Sequence, residues 1–115
     1  MNWLSLTTEK QLEEIDRLSY NPEIKGVLLF KHSARCSISS MALSRLERNL
    51  KVSATLPIYL LNLLDYRSVS QQIAERYHVE HESPQVLVIK EGKCIYSASH
   101  SEISAGSIES AVINN

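Results

Sequence analysis

The chain has 115 residues, 43% of them hydrophobic, and its 12 Lys and Arg against 13 Asp and Glu give a net charge of −1. This balance argues against a nucleic-acid-binding protein with a basic surface and against a disordered chain. The longest apolar run, residues 56–61, is far short of the roughly 20 residues of a membrane span, and residues 1–7 lack the pattern of a signal peptide. We therefore predict one domain over residues 1–115, in the cytoplasm, with neither a membrane nor a nucleic acid as partner.

The predicted elements alternate between strands and helices. Four segments carry apolar residues at helical spacing, and short continuous apolar runs between them are typical of strands buried on both faces. Capping boxes are predicted for Thr8 with Gln11 and for Ser68 with Gln71, and Ser104 is predicted to cap the last helix. In chain order we expect a strand at 3–6, a helix from 8 to 20, a strand within 25–31, a helix at 37–50, a strand at 57–64, a helix from 68 to 77, a strand at 86–89, a turn at 91–92, a strand at 94–98 and a helix after 104.

This order of elements resembles that of the thioredoxin fold. Alternating strands and helices are joined by parallel crossovers, whereas the late turn at Glu91 and Gly92 joins two antiparallel strands. The sequence therefore predicts an α/β, thioredoxin-like fold with a central mixed β-sheet and helices on both faces.

Cys36 is the first candidate for a catalytic residue. It lies between the strand ending at Lys31 and the helix beginning at Ser37. Unpaired N–H groups and the positive end of the helix dipole favour a thiolate at such a position. Arg35 adds an adjacent positive charge. The alternative, a small cysteine buried in the core, stays open at this point.

The residue three positions after Cys36 is Ser39 and not a second cysteine. Its hydroxyl is predicted to donate a hydrogen bond to the thiolate. It cannot form a disulfide, so a redox reaction at this site needs a second thiol from solution. Cys94, in the strand after the turn, is interpreted as a half-buried structural cysteine. The alternative is a resolving thiol within disulfide reach of Cys36.

The histidines do not predict a metal site. His32 is a candidate base, a candidate second cation beside the thiolate, or simply a residue at the end of a strand. His78 and His81 follow the third helix and are interpreted as solvated loop residues.

Ser83 and Pro84 precede the predicted strand at 86–89. In the thioredoxin fold a cis-proline at this place lies beside the reactive sulfur, and the residue before it pairs with the substrate backbone as an added strand does. We predict a cis bond between Ser83 and Pro84 in a substrate groove; the alternative is a purely structural turn.

Three motifs make the chain resemble the monothiol bacilliredoxins, thioredoxin-like proteins of the bacillithiol redox system that are also labelled general stress proteins. The resemblance spans about residues 3–112, and its motifs are residues 31–39, 81–85 and 99–101. The usual core of the family is Thr-Cys-Pro-Ile-Ser, where this chain has Arg35 and Ser37 in place of Thr and Pro. Arg35 is expected to support the thiolate, and Ser37 to add an N–H donor.

The resemblance implies a monothiol thiol-disulfide oxidoreductase that removes bacillithiol from protein mixed disulfides through Cys36. Lys31 and Arg35 are expected to attract the carboxylates of bacillithiol. The implied partners are S-thiolated client proteins and a low-molecular-weight thiol as co-substrate, with no bound cofactor, and the protein is expected to be a monomer or weak dimer. The alternatives are a non-catalytic peptide-binding or stress-response module and a redox sensor.

Overall fold

The structure, a computed structural model, describes residues 2–51 and 54–113. Within these residues no helix combines the length and the apolar character needed to cross a membrane. The elements are β1 (Leu4–Ser5), α1 (Lys10–Tyr20), β2 (Val27–His32), α2 (Ser37–Asn49), β3 (Ile58–Asn62), α3 (Arg67–Tyr77), β4 (Gln85–Lys90), β5 (Lys93–Ser99), a short 3₁₀ helix (His100–Glu102) and α4 (Ala105–Ile113).

The five strands form one mixed sheet in the order β1-β3-β2-β4-β5. Strand β3 runs parallel to β1 and β2, whereas β4 runs antiparallel to β2 and β5. The predicted mixed sheet is therefore confirmed, and β2, which leads to Cys36, lies at its centre.

Strand β2 supplies side chains to a core on each face of the sheet. Leu28 and Phe30 belong to the cluster that α2 and α4 cover, and Val27 and Leu29 belong to the cluster that α1 and α3 cover. All four are fully buried, which contributes about 2 kcal/mol each by transfer from water. Because both faces of β2 are packed, its carboxyl end is a rigid support for the loop that follows.

The hydrogen bonds of the predicted capping box at Thr8 and of the predicted cap at Ser104 are present, although α1 begins at Lys10 and its N-cap residue is Glu9, not Thr8. The Gln11 N–H donates to Thr8 Oγ1 at 3.3 Å, and the Thr8 N–H donates to Gln11 Oε1 at 3.0 Å. The Ser107 N–H donates to Ser104 Oγ at 3.2 Å. Each hydroxyl thus satisfies a backbone N–H group that the helix leaves unpaired.

The predicted capping box at Ser68 is wrong. Helix α3 begins at Arg67, its N-cap residue is Tyr66, and no side chain caps it. The Asn62 carbonyl accepts hydrogen bonds from the N–H groups of Asp65 and Tyr66. This turn at the end of β3 sets where the helix starts, and local capping propensity does not.

The turn between β4 and β5 is the predicted hairpin. Glu91 and Gly92 both have positive φ, 52° and 74°, as the tight turn of a twisted hairpin requires. A Cβ atom at Gly92 would lie 2.9 Å from the Tyr20 hydroxyl oxygen. The 3₁₀ helix after β5 was not predicted, and it brings His100 toward α2.

Candidate functional site

Cys36 is the N-cap residue of α2, with extended backbone angles (φ −101°, ψ 120°) and no side-chain capping hydrogen bond. Its N–H donates to the Ser33 carbonyl at 3.0 Å, and its carbonyl accepts from the Ser40 N–H at 3.1 Å. The side chain is partly exposed. The predicted position at the start of the helix is confirmed, and the alternative of a sealed core cysteine does not fit this exposure.

The start of α2 offers free backbone donors to the sulfur. The first hydrogen bond of the helix runs from Ser40 N–H to the Cys36 carbonyl, so the N–H groups of residues 37–39 have no acceptor within α2. The Cys36 side chain makes no capping hydrogen bond to them. Their partial positive charge suits an anionic sulfur at Cys36.

Pro84 lies at the same end of the sheet as Cys36. The β2–β4 ladder ends with Lys31 opposite Gln85, so Pro84 follows opposite the end of β2, where the loop to Cys36 begins. The Ser83–Pro84 bond is cis, as predicted. The Pro84 carbonyl accepts from the His100 N–H at 3.0 Å, which brings the segment after β5 to the same edge.

The Ser39 hydroxyl is engaged away from the sulfur, which corrects the prediction that it donates to the thiolate. Ser39 is fully buried. Its Oγ accepts from the Ser33 N–H at 3.0 Å and lies 2.7 Å from His32 Nδ1. Its one proton goes to the ring nitrogen when that nitrogen is an acceptor. Ser39 therefore holds the loop that presents Cys36.

His32 does not supply a second cation. Burial lowers the pKa of His32, and the opposing effect of Glu47 is smaller, so the ring is neutral at pH 7. A neutral ring whose Nδ1 accepts from Ser39 carries its proton on Nε2. His32 thus acts through Ser39 on the loop before Cys36.

Lys31 is turned into the protein, and the expectation that it attracts bacillithiol is wrong. It is fully buried on the face of β2 that Val27 and Leu29 occupy, below α1 and α3. Its Nζ lies 3.2 Å from Nδ1 of His81, which is also 3.2 Å from Ser70 Oγ. Burial lowers the pKa of Lys31 to about 8.

Gln85 and Asn62, near the site, were given no individual role from the sequence, whereas Ser83 was predicted to belong to the substrate groove. Gln85, almost fully buried, donates to the Glu80 carbonyl at 2.9 Å and so holds the loop before Pro84. Ser83 Oγ and Asn62 Oδ1 are buried without a hydrogen-bond partner among the described residues. Ser83 directly precedes Pro84, and Asn62 is in register with His32. In the sequence, the place of Gln85 at the start of a buried strand could have indicated its structural role.

Cys94 lies at the opposite end of the sheet from Cys36. It pairs with Ile89, which pairs with Val27 at the start of β2, whereas Cys36 follows the last residue of β2. Five strand residues span about 16 Å, and a disulfide requires Cα atoms within about 7 Å. Cys94 also packs against the cluster under α1 and α3. The resolving role is excluded in this fold.

Cys94 has the features of a structural thiol. It is half-buried, its Sγ lies 3.2 Å from the Tyr96 carbonyl oxygen, and burial raises the pKa of its thiol. The interpretation as a half-buried strand cysteine is confirmed.

No group of three or more His, Cys, Asp or Glu side chains that could hold a metal ion occurs in residues 2–51 and 54–113.

Arg35 and Ser37 flank Cys36 with exposed side chains. The site as a whole offers one partly exposed thiol at the start of α2, with the buried Pro84 at the same end of the sheet.

Comparison with known proteins agrees with this geometry. The family model for monothiol bacilliredoxins matches residues 4–108. A solved structure named as a candidate oxidoreductase with a thioredoxin fold is 28% identical, with a TM-score of 0.74 over 94% of this chain and 91% of that one. The thioredoxins of Malassezia sympodialis (11% identity, TM-score 0.72, 98% and 90% covered) and Fasciola hepatica (14% identity, TM-score 0.70, 96% and 97% covered) share the fold.

Proposed function

The chain belongs to the monothiol bacilliredoxin family, and we propose that it removes bacillithiol from protein mixed disulfides through Cys36. The family match and the oxidoreductase relative support a thiol-oxidoreductase role in general. The observation that carries the finer proposal is a partly exposed thiol at the start of α2, at the same end of the sheet as Pro84, with a hydroxyl and not a second thiol at Ser39.

The reaction proceeds by two thiol-disulfide exchanges. The Cys36 thiolate attacks the bacillithiol sulfur of the mixed disulfide, which forms a Cys36–bacillithiol disulfide and releases the client protein as a thiolate. A second low-molecular-weight thiolate then attacks this disulfide. The bacillithiol and the second thiol leave together as a small-molecule disulfide, and the Cys36 thiolate is regenerated.

The second thiol comes from solution because the chain offers none within reach. Ser39 carries a hydroxyl, and Cys94 lies at the far end of the sheet. A reducing cytoplasm, which we propose as the location, supplies such thiols.

The adduct on Cys36 tests the proposal directly. After reaction of the reduced, folded protein with oxidised bacillithiol, intact mass spectrometry is expected to show one bacillithiol adduct. Cys36→Ser is expected to show no adduct, and Cys94→Ser one, because burial raises the pKa of the Cys94 thiol. A wild-type protein that stays unmodified while folded refutes the enzymatic role and favours the non-catalytic binding module.

Arg35 is expected to select for the carboxylates of bacillithiol. Its side chain is exposed next to Cys36, and it forms no hydrogen bond or ion pair within the described residues. We expect Arg35→Glu to slow reaction with oxidised bacillithiol about fivefold, and reaction with a neutral disulfide much less.

The matched control is Arg17→Glu, a charge reversal on α1 across the sheet from α2. Stopped-flow rates at low ionic strength distinguish the outcomes. Equal slowing with the charged and the neutral disulfide would show that Arg35 acts on the sulfur and not on the carboxylates.

A further inference from the structure

A groove runs from the Cys36 end of α2 along its outer face. Two adjoining cavities of about 390 and 360 Å³ share Met41 and Arg45. Arg48 lines the first, and Ile38 and His100 line the second. Neither cavity is part of the exchange chemistry described above, yet the groove begins two residues after the reactive sulfur.

The part of the groove nearest Cys36 is apolar and open to solvent. Ile38 is 53% exposed and Met41 is 63% exposed. They are three residues apart and therefore neighbours on one helix face. Exposed apolar side chains grouped beside a reactive residue are typical of a contact surface for another molecule.

The far part of the groove is basic. Arg45 and Arg48 form neither an ion pair nor a hydrogen bond with any residue in 2–51 and 54–113. The helix dipole accounts for Arg48 in the last turn, but Arg45 lies about one turn earlier. Glu47 is turned to Trp3, whose Nε1 donates to it at 3.2 Å. Two cations thus face the solvent without a carboxylate from α2.

We propose that this groove docks the client protein, through an extended acidic and aliphatic segment next to its mixed disulfide. An aliphatic side chain of the client covers Ile38 and Met41, and its carboxylates face Arg45 and Arg48. Arg45 lies nine residues from Cys36, about 13 Å along the helix, which four residues of an extended peptide span. The inference rests on the proposed function, since the docked segment belongs to a client whose mixed disulfide lies at Cys36.

The test uses two peptides, each with one cysteine joined to 2-mercaptoethanol, a neutral thiol. One carries glutamates and the other lysines three to five residues from the cysteine. Wild-type kcat/KM for thiol release is expected to be about fivefold higher for the glutamate peptide at low salt. The preference is expected to vanish near 1 M salt, where screening is strong. Because the small thiol is uncharged, the preference reports the peptide alone.

Variants assign the preference to the groove. Arg45→Glu is expected to reverse it, and Arg17→Glu, the matched reversal on α1, to leave it unchanged. Met41→Gln is expected to slow thiol release from both peptides about equally. It is expected to leave the reaction with 2-hydroxyethyl disulfide, which has no peptide, unchanged.

The outcomes separate the two proposals. Equal wild-type rates for both peptides would overturn docking on α2 while the proposed function stands. The same holds if Arg45→Glu slows the reaction with 2-hydroxyethyl disulfide as strongly as it slows the reaction with the glutamate peptide. Release from neither peptide would overturn the docking inference, while the proposed function stands if oxidised bacillithiol still forms the adduct on Cys36; release from neither peptide together with no adduct would refute both.

Discussion

Cys36→Ser is expected to reduce the release of bacillithiol from an S-thiolated protein to the uncatalysed rate, whereas Cys94→Ser is expected to keep nearly the wild-type rate. A serine hydroxyl is not ionised near neutral pH, and the His32 ring at the end of β2, neutral and bonded to Ser39, is not available as a general base. Cys94 lies at the other end of the sheet. Turnover is measured with excess low-molecular-weight thiol as the final reductant.

Cys94→Ser is the more discriminating of the two variants. A monothiol cycle needs no second protein thiol, so turnover of Cys94→Ser depends on the solution thiol as wild type does. If Cys94→Ser still forms the adduct on Cys36 but no longer turns over, Cys94 resolves it. That result would contradict the one-thiol mechanism, and it would require β5 to leave the sheet or a second molecule to take part.

Lys31→Met is expected to stabilise the protein at pH 7 by about 2 kcal/mol. The fold lowers the pKa of Lys31 from 10.5 to about 8 by burial, and each unit corresponds to about 1.4 kcal/mol. At pH 7 the lysine is charged in both states, so the folded state carries the full cost of burying that charge. Methionine fills the same space without a charge, and the lost contact to His81 offsets part of the gain.

The stability advantage of Lys31→Met is expected to shrink as pH rises from 7 to 9.5. In this window the unfolded chain binds more protons at Lys31 than the folded protein, so the contribution of Lys31 to stability rises with pH. The buried Cys94 and Tyr77, whose pKa values are raised, act in the opposite direction. They occur in both proteins and cancel in the difference.

Urea unfolding at several pH values measures this difference, and Lys93→Met, which removes an exposed lysine of β5, is the control. Its stability change is expected to be small and independent of pH. An advantage of Lys31→Met that stays constant between pH 7 and 9.5 would show that Lys31 does not titrate in this window.

The central elements of the fold were predictable because their sequence signals are local. The apolar run that forms β2 is continuous, and a strand packed on both faces needs no polar positions. Cys36 was placed at the start of α2 for a similar reason, since the helical periodicity of residues 37–50 begins directly after it. The nearly complete match with the family model is consistent with these local signals.

The directions of individual side chains depended on neighbours distant in sequence. Ser39 is the third residue of α2, and the sequence alone left its hydroxyl free to bond the thiolate; the fold instead places His32 and Ser33 beside it. Lys31 counted as surface charge, although its alternation with Val27 and Leu29 already placed it on a packed face. Only the folded structure shows that this face is packed as far as Lys31, because α3 and His81 cover it there.

The sequence by itself determined the order of the elements, the strand-helix junction at Cys36 and the absence of a thiol at Ser39, because hydrophobic periodicity, helix starts and residue identity are properties of short segments. The tertiary structure alone decided which groups meet. It separated Cys94 from Cys36 by the length of a strand, buried Lys31 against His81, and set His100 beside Met41 and Arg45 to form a groove. Such contacts follow from strand order and register, which join residues that are far apart along the chain.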